Sequence, residues 1–207
     1  MPNAMVGTMA AERRTHIVSR RIACSNRVWN VYFTHVKDGA AEVPDYLVME
    51  PKTRMAGDVT GVVILPIVEQ RIGLLTIHRV ALDAPVVESP KGFVDPGEEA
   101  VGAALRELTE ETGLVCAPAD IVDLGSMTPE ASTLAARIRL FAALCCHPTG
   151  TALDDEVGLA AFDFIAVDRV RAMMAASEIE DAATLVALYR LFAKADTDPM
   201  VRAALIG

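Results

Sequence analysis

Between Gly92 and Leu114 the chain reads GFVDPGEEAVGAALRELTEETGL, a tight loop feeding straight into a heavily charged helix. Gly92, Pro96 and Gly97 make the loop turn-rich, and glycine there permits a close backbone approach. From Glu99 to Thr112 the residues favour a helix: Ala100, Ala104 and Leu108 form one apolar row, and Gly113 supplies a C-terminal stop. Glu107 stands three and four residues before Glu110 and Glu111, so the three carboxylates project towards one region. Like charges at that spacing repel, and a solvated surface helix has no need of them. A hard divalent cation with oxygen ligands removes the repulsion, and a backbone carbonyl at Lys91 or Gly92 is in a position to join its sphere.

Around this segment the pattern predicts one α/β domain with additions. Residues 1–14 read as a poorly ordered N-terminus. Residues 15–57 are strand-rich, with turns at Lys37-Asp38-Gly39 and Val43-Pro44-Asp45, and imply a small antiparallel sheet. The main domain is expected over 58–195, followed by a C-terminal tail at 196–207. Its strands are Gly61–Val68, Ile72–Val80, Ile121–Leu124, Ile138–Cys146 and Phe162–Val167, and its last helices Asp168–Ala176 and Asp181–Ala193. Leu185, Leu188 and Phe192 mark the inner face of the final helix. A mixed sheet with helices packed against it follows.

Composition narrows the function classes. A net charge of −9 disfavours nucleic acid as a partner. No apolar run approaches the ~20 residues that span a bilayer, and the N-terminus lacks the charged start and apolar core of a signal peptide. A cytoplasmic protein with no membrane or nucleic-acid partner is expected. Cys24, Cys116, Cys145 and Cys146 show no C-x-x-C spacing and read as small buried hydrophobes. An acidic protein can still handle a phosphate ester if cations stand between its carboxylates and the ligand.

The Gly92–Leu114 segment resembles the Nudix box, G-x5-E-x7-R-E-U-x-E-E-x-G-U with U a bulky aliphatic residue. It matches at Gly92, Glu98, Arg106, Glu107, Leu108, Glu110, Glu111, Gly113 and Leu114. With average residue usage, those matches arise by chance at roughly 10⁻⁹ per window. The resemblance implies a Nudix-type α/β/α sandwich and a pyrophosphohydrolase using magnesium or manganese. It gives Glu107 and Glu111 as metal ligands, assisted by Glu110 and the Lys91 carbonyl. Glu98 would pair with Arg106 and fix the loop on the helix. The catalytic base would be Glu156, from the acidic run Asp154-Asp155-Glu156, with Glu110 as the substitute.

Pro129, fifteen residues after Leu114, is similar to a proline in the ADP-ribose and ADP-sugar pyrophosphatase branch. SRRIACSNRVWNVYFTHV and the stretch Glu178–Thr184 are similar to that branch as well. The implied substrate is ADP-ribose or an ADP-sugar. Lys91 stands where many ADP-ribose enzymes have a small residue, and Pro90-Lys91-Gly92 resembles enzymes acting on other ADP compounds, such as dinucleotides. A hydrolase of dinucleoside polyphosphates, NADH or GDP-sugars, or a non-catalytic nucleotide-binding regulator, are the rival readings. The resemblance also implies a homodimer that exchanges its N-terminal sheet. Trp29, Arg79 and Pro129 are candidate substrate contacts. Strand alternation puts Trp29, Val31 and Phe33 on one face and Tyr32 on the other, so these aromatics cannot all line one pocket.

Overall fold

The computed structural model describes residues 15–55, 57, 59–150 and 157–206; the expected N-terminal disorder at 1–14 lies outside them. The chain forms two compact units, Met1–Lys52 with Glu130–Ala135, and Thr53–Pro129 with Ala136–Gly207.

The first unit is built on β1 (His16–Ser25), β2 (Trp29–Asp38) and β3 (Ala41–Pro51), antiparallel in that order. The turn expected at Val43-Pro44-Asp45 is absent, because β3 runs through it. Thr34 pairs with Tyr46 but Val36 pairs with Val43, so β3 carries one extra residue at a bulge. Proline is tolerated there because β3 is an edge strand and a bulge needs no ladder N–H. The segment 130–135 docks on β3: Met49 N–H donates to Thr133 O at 2.7 Å, and Ala135 N–H to Met49 O at 2.9 Å.

In the second unit β4 (Val59–Val68) and β5 (Arg71–Arg79) are antiparallel. Glu69 and Gln70 join them with φ of 48° and 60°, the left-handed pair that a two-residue hairpin requires. β6 (Ala84–Glu88) and β7 (Lys91–Phe93) follow, then α1 (Ala100–Thr112), β8 (Leu114–Val115), β9 (Ile121–Met127), β10 (Arg137–Leu144), β11 (His147–Pro148) and β12 (Leu159–Ala166). Three helices close the chain: α2 (Val167–Ala175), α3 (Ala182–Ala195) and α4 (Pro199–Ile206). The main sheet has the order β12-β5-β4-β10-β9, with β6 on β5 and β7 on β4. β10 and β4 are parallel and the remaining pairs antiparallel, so the sheet is mixed as expected.

Strand alternation divides the core in two. Val63, Leu65 and Ile67 of β4 pack with Val170, Leu188, Leu191, Val201 and Leu205 of α2, α3 and α4. Val62 and Ile64 face the other way and pack with Ala103, Ala104 and Leu108 of α1. Both sheet faces are thus covered, an α/β/α sandwich. Two details depart from expectation. Residues 199–206 are helical and bury Val201 and Leu205. Only Cys116 and Cys146 are buried, whereas Cys24 and Cys145 are exposed, Cys145 sitting at φ 56° where β10 has ended. Among the described residues no helix is long and apolar enough to cross a membrane.

Candidate active site

The box helix and the short strand β7 build the site together. β7 lies in the loop that turn signals alone predict. Its ladder with β4 pairs Val62 with Gly92, flanked by Ile64 N–H to Pro90 O and Val94 N–H to Thr60 O. Antiparallel ladder bonds alternate, so the backbone groups of Lys91 and Phe93 face away from β4. That outer edge meets α1: Lys91 N–H donates to Glu111 Oε2 at 2.9 Å, and Arg106 Nη2 donates to Phe93 O at 2.9 Å. The Lys91 carbonyl, named from sequence as a possible metal ligand, lies on the same edge.

Arg106 organises the charges. Its Nε and Nη2 each stand 3.1 Å from a Glu98 oxygen, and Nη1 donates to Glu107 Oε1 at 2.7 Å and Glu110 Oε2 at 2.8 Å. Glu98 Oε2 also accepts from Asp95 N–H at 3.1 Å, closing the loop onto the helix. The Arg106 hydrogen bonds hold the Glu98 carboxyl below its ordinary value, and Glu98 foremost raises the guanidinium. α1 has no side-chain N-cap, and Gly113 ends it in the left-handed conformation, with its N–H on Thr109 O.

Glu107 and Glu111 are buried, 9% and 3% exposed, where a carboxylate requires strong partners. Gly92 makes room for the first of them: a β-carbon there would lie 2.0 Å from Glu107 Oε1. Two buried carboxylates one turn apart, a third on the same helix and a carbonyl edge are an all-oxygen set that suits a hard divalent cation. Among the described residues no three acidic, histidine or cysteine side chains already converge as a ligand group; Glu107 and Glu110 share the Arg106 Nη1 instead.

The remaining sequence candidates are placed variously. Arg79, at the end of β5, pairs with Glu88. Trp29 begins β2 in the first unit, half-buried and paired with Pro51. The nearby aromatic faces are covered by cations of β1, Arg20 over Tyr32 at 4.1 Å and Arg21 over Phe33 at 4.4 Å. Pro129 is half-buried at the end of a segment of the second unit. Glu156 lies outside the described residues. Sequence reasoning missed Glu88, Ser89, Asp181 and Thr184, which are buried or half-buried and linked to Lys91. Their sequence signals are the Asp181-x-x-Thr184 spacing of an N-cap and the place of both residues in the stretch Glu178–Thr184.

Residues 58–187 match the family described as NUDIX domain. A 67-residue stretch is 40% identical to an ADP-ribose pyrophosphatase of Saccharomyces cerevisiae (strain ATCC 204508 / S288c), covering 30% of this chain and 29% of that one. The chain therefore matches under a third of the length of this curated relative. A solved structure described as an ADP compounds hydrolase shares the fold, with a TM-score of 0.73 at 18% identity over 88% of this chain and 95% of the other.

Proposed function

This chain belongs to the NUDIX domain family, and from that premise we propose that it hydrolyses the diphosphate linkage of an ADP derivative. The favoured substrate is ADP-ribose or an ADP-sugar, split to AMP and a sugar phosphate. The similarity to an ADP-ribose pyrophosphatase supports this choice. One observation carries the chemistry: two buried glutamates, Glu107 and Glu111, stand against β7, which Gly92 allows to pass without a side chain.

Glu107 and Glu111, with Glu110 and the Lys91 carbonyl, would hold magnesium or manganese. Bound there, a divalent cation supplies charge neutralisation on the diphosphate oxygens and acidifies a water. Glu98 and Arg106 keep the loop on the helix, so that the carboxylates meet the ligand from a rigid element. Glu156 takes the proton of the attacking water, with Glu110 as the alternative base. Arg79 and Pro129 are the ligand contacts proposed on the second unit, and Trp29 is the adenine-stacking residue proposed on the first. The Pro90-Lys91-Gly92 sequence, similar to that of enzymes acting on other ADP compounds, supports keeping NADH and dinucleoside polyphosphates as the second reading.

A panel of ADP-ribose, ADP-glucose, NADH, diadenosine polyphosphates and GDP-mannose, assayed with magnesium and scored by nucleoside monophosphate release, tests the reading. ADP-ribose should be turned over fastest. Glu111→Gln should lower kcat by about 100-fold or more, comparable to losing one strong electrostatic contact to the reacting group. Glu156→Gln should lower kcat and remove the fall in rate on the acid side of the pH profile, where a carboxylate base is protonated. Faster turnover of GDP-mannose would overturn the substrate, and an active Glu111→Gln the site.

A further inference from the structure

The strap between β6 and β7, Glu88-Ser89-Pro90-Lys91, is engaged group by group. The buried Glu88 carboxylate takes the Arg79 guanidinium and, at 3.0 Å, the Lys91 ammonium. Ser89 N–H donates to Thr184 Oγ1 at 2.9 Å, and the Ser89 hydroxyl lies 3.0 Å from the same oxygen. Pro90 has no N–H to satisfy, and its carbonyl accepts from Ile64 N–H at 2.9 Å. Lys91 is held at both ends: its backbone N–H meets Glu111 Oε2 at 2.9 Å and its Nζ meets Asp181 Oδ1 at 2.7 Å.

Asp181 is the N-cap of α3. Its Oδ2 accepts from Thr184 N–H at 2.9 Å and from the Thr184 hydroxyl at 2.7 Å. Thr184 has one hydroxyl proton and gives it to Asp181, so Ser89 must be the donor to Thr184. Glu88, Ser89 and Thr184 are each at most 1% exposed, where every polar group needs its partner. The Lys91 ammonium keeps the Asp181 carboxyl below its ordinary value although burial works in the opposite direction.

We propose that Lys91 is a positioning residue for the proposed cation centre: its ammonium, clamped between Glu88 and Asp181, fixes the strap so that its own N–H orients Glu111. This rests on the assignment of Glu111 as a cation ligand. The cap of α3, remote in sequence from the box, thereby sets the geometry of the box helix. The side chain is not a diphosphate ligand, because any phosphate would have to displace two carboxylates already within 3.0 Å of Nζ.

Lys91→Met and Asp181→Asn, singly and combined in the full chain, test this. Asparagine retains a capping oxygen, so Asp181→Asn keeps the test open if Lys91→Met fails to fold. Deuterium exchange of amides 88, 89 and 91–93 without cation should quicken in both single variants, while β10 exchange stays unchanged. Mn2+ binding and kcat for ADP-ribose should each fall by about 10- to 100-fold, the usual effect of losing a group that orients a metal ligand. KM should stay within about twofold, and the double variant should be no worse than the poorer single, as expected for one shared interaction. Lys91→Arg should restore exchange protection. Unchanged exchange and Mn2+ affinity in Lys91→Met would overturn the proposal, as would a raised KM with kcat preserved, the mark of a phosphate contact. If the unmodified protein neither binds Mn2+ nor hydrolyses any ADP compound, the cation centre itself is refuted, while the exchange data still report on the strap.

Discussion

A methyl group at position 92 would stand 2.0 Å from Glu107 Oε1, well inside any tolerable contact. Gly92→Ala should therefore displace the Glu107 carboxylate, the end of a flexible side chain, and lower turnover by at least about 10-fold, while thermal melting still reports a folded protein. Retention of full activity would show that the Glu107 carboxylate has space to move aside. A pH series probes Glu98. Its folded-state pKa lies below the ordinary 4.5 because Arg106 hydrogen-bonds the charged form. The stabilisation is then fully present above pH 4.5 and is lost as pH falls through the lowered value. The unfolding free-energy gap between the wild type and Glu98→Gln, read from urea melts, should be open at pH 7 and narrow as pH falls below 4.5 through the lowered value. At this scale the box was legible because its residues are near neighbours on one loop and helix. The Glu88–Lys91–Asp181 chain was not, since Lys91 and Asp181 meet only after the fold joins segments 90 residues apart.

Elements with strong local punctuation could be read directly. α1 ends at Gly113 because φ of 66° suits glycine, and its apolar row meets Val62 and Ile64 as periodicity requires. β7 could not be read, because three residues beside two glycines and two prolines carry no alternation and pair only through a partner distant in sequence. Pro44 misled for a similar reason: a proline signals a turn unless an edge bulge absorbs it. α4 is too short to display a period, yet Leu205 is 4% exposed against the sheet-facing core. Leu205→Ala should lower stability by about 2–5 kcal/mol in chemical denaturation, the range for a truncated core leucine. A change below about 0.5 kcal/mol, the surface range, would mean that the helix contributes nothing to the core.

For the whole chain, the exposed apolar surface of the first unit bears on assembly. Every residue of β1 is exposed, including Ile17 at 61% and Ile22 at 59%, and a small three-stranded sheet with so much apolar surface calls for a cover. The homodimer that the resemblance implies would supply one. Light scattering should give twice the 22.1 kDa chain mass, and Ile17→Asp with Ile22→Asp should return the monomer. A monomeric wild type would refute the expected dimer. Sequence alternation announced the strands of this sheet, but what covers them is a property of the assembled protein and leaves no period in the chain.

The segment 130–135 belongs with the first unit although the second unit surrounds it in sequence. The polypeptide consequently passes from one unit to the other at three places, and no single scission can release either part whole. A shortened protein beginning at residue 53 would keep residues 130–135 but lose β3, whose Met49 both donates to Thr133 O and accepts from Ala135 N–H. Any domain transplantation or gene fusion has to treat the two units as interleaved, carrying the hexapeptide with the N-terminal strands or redesigning it.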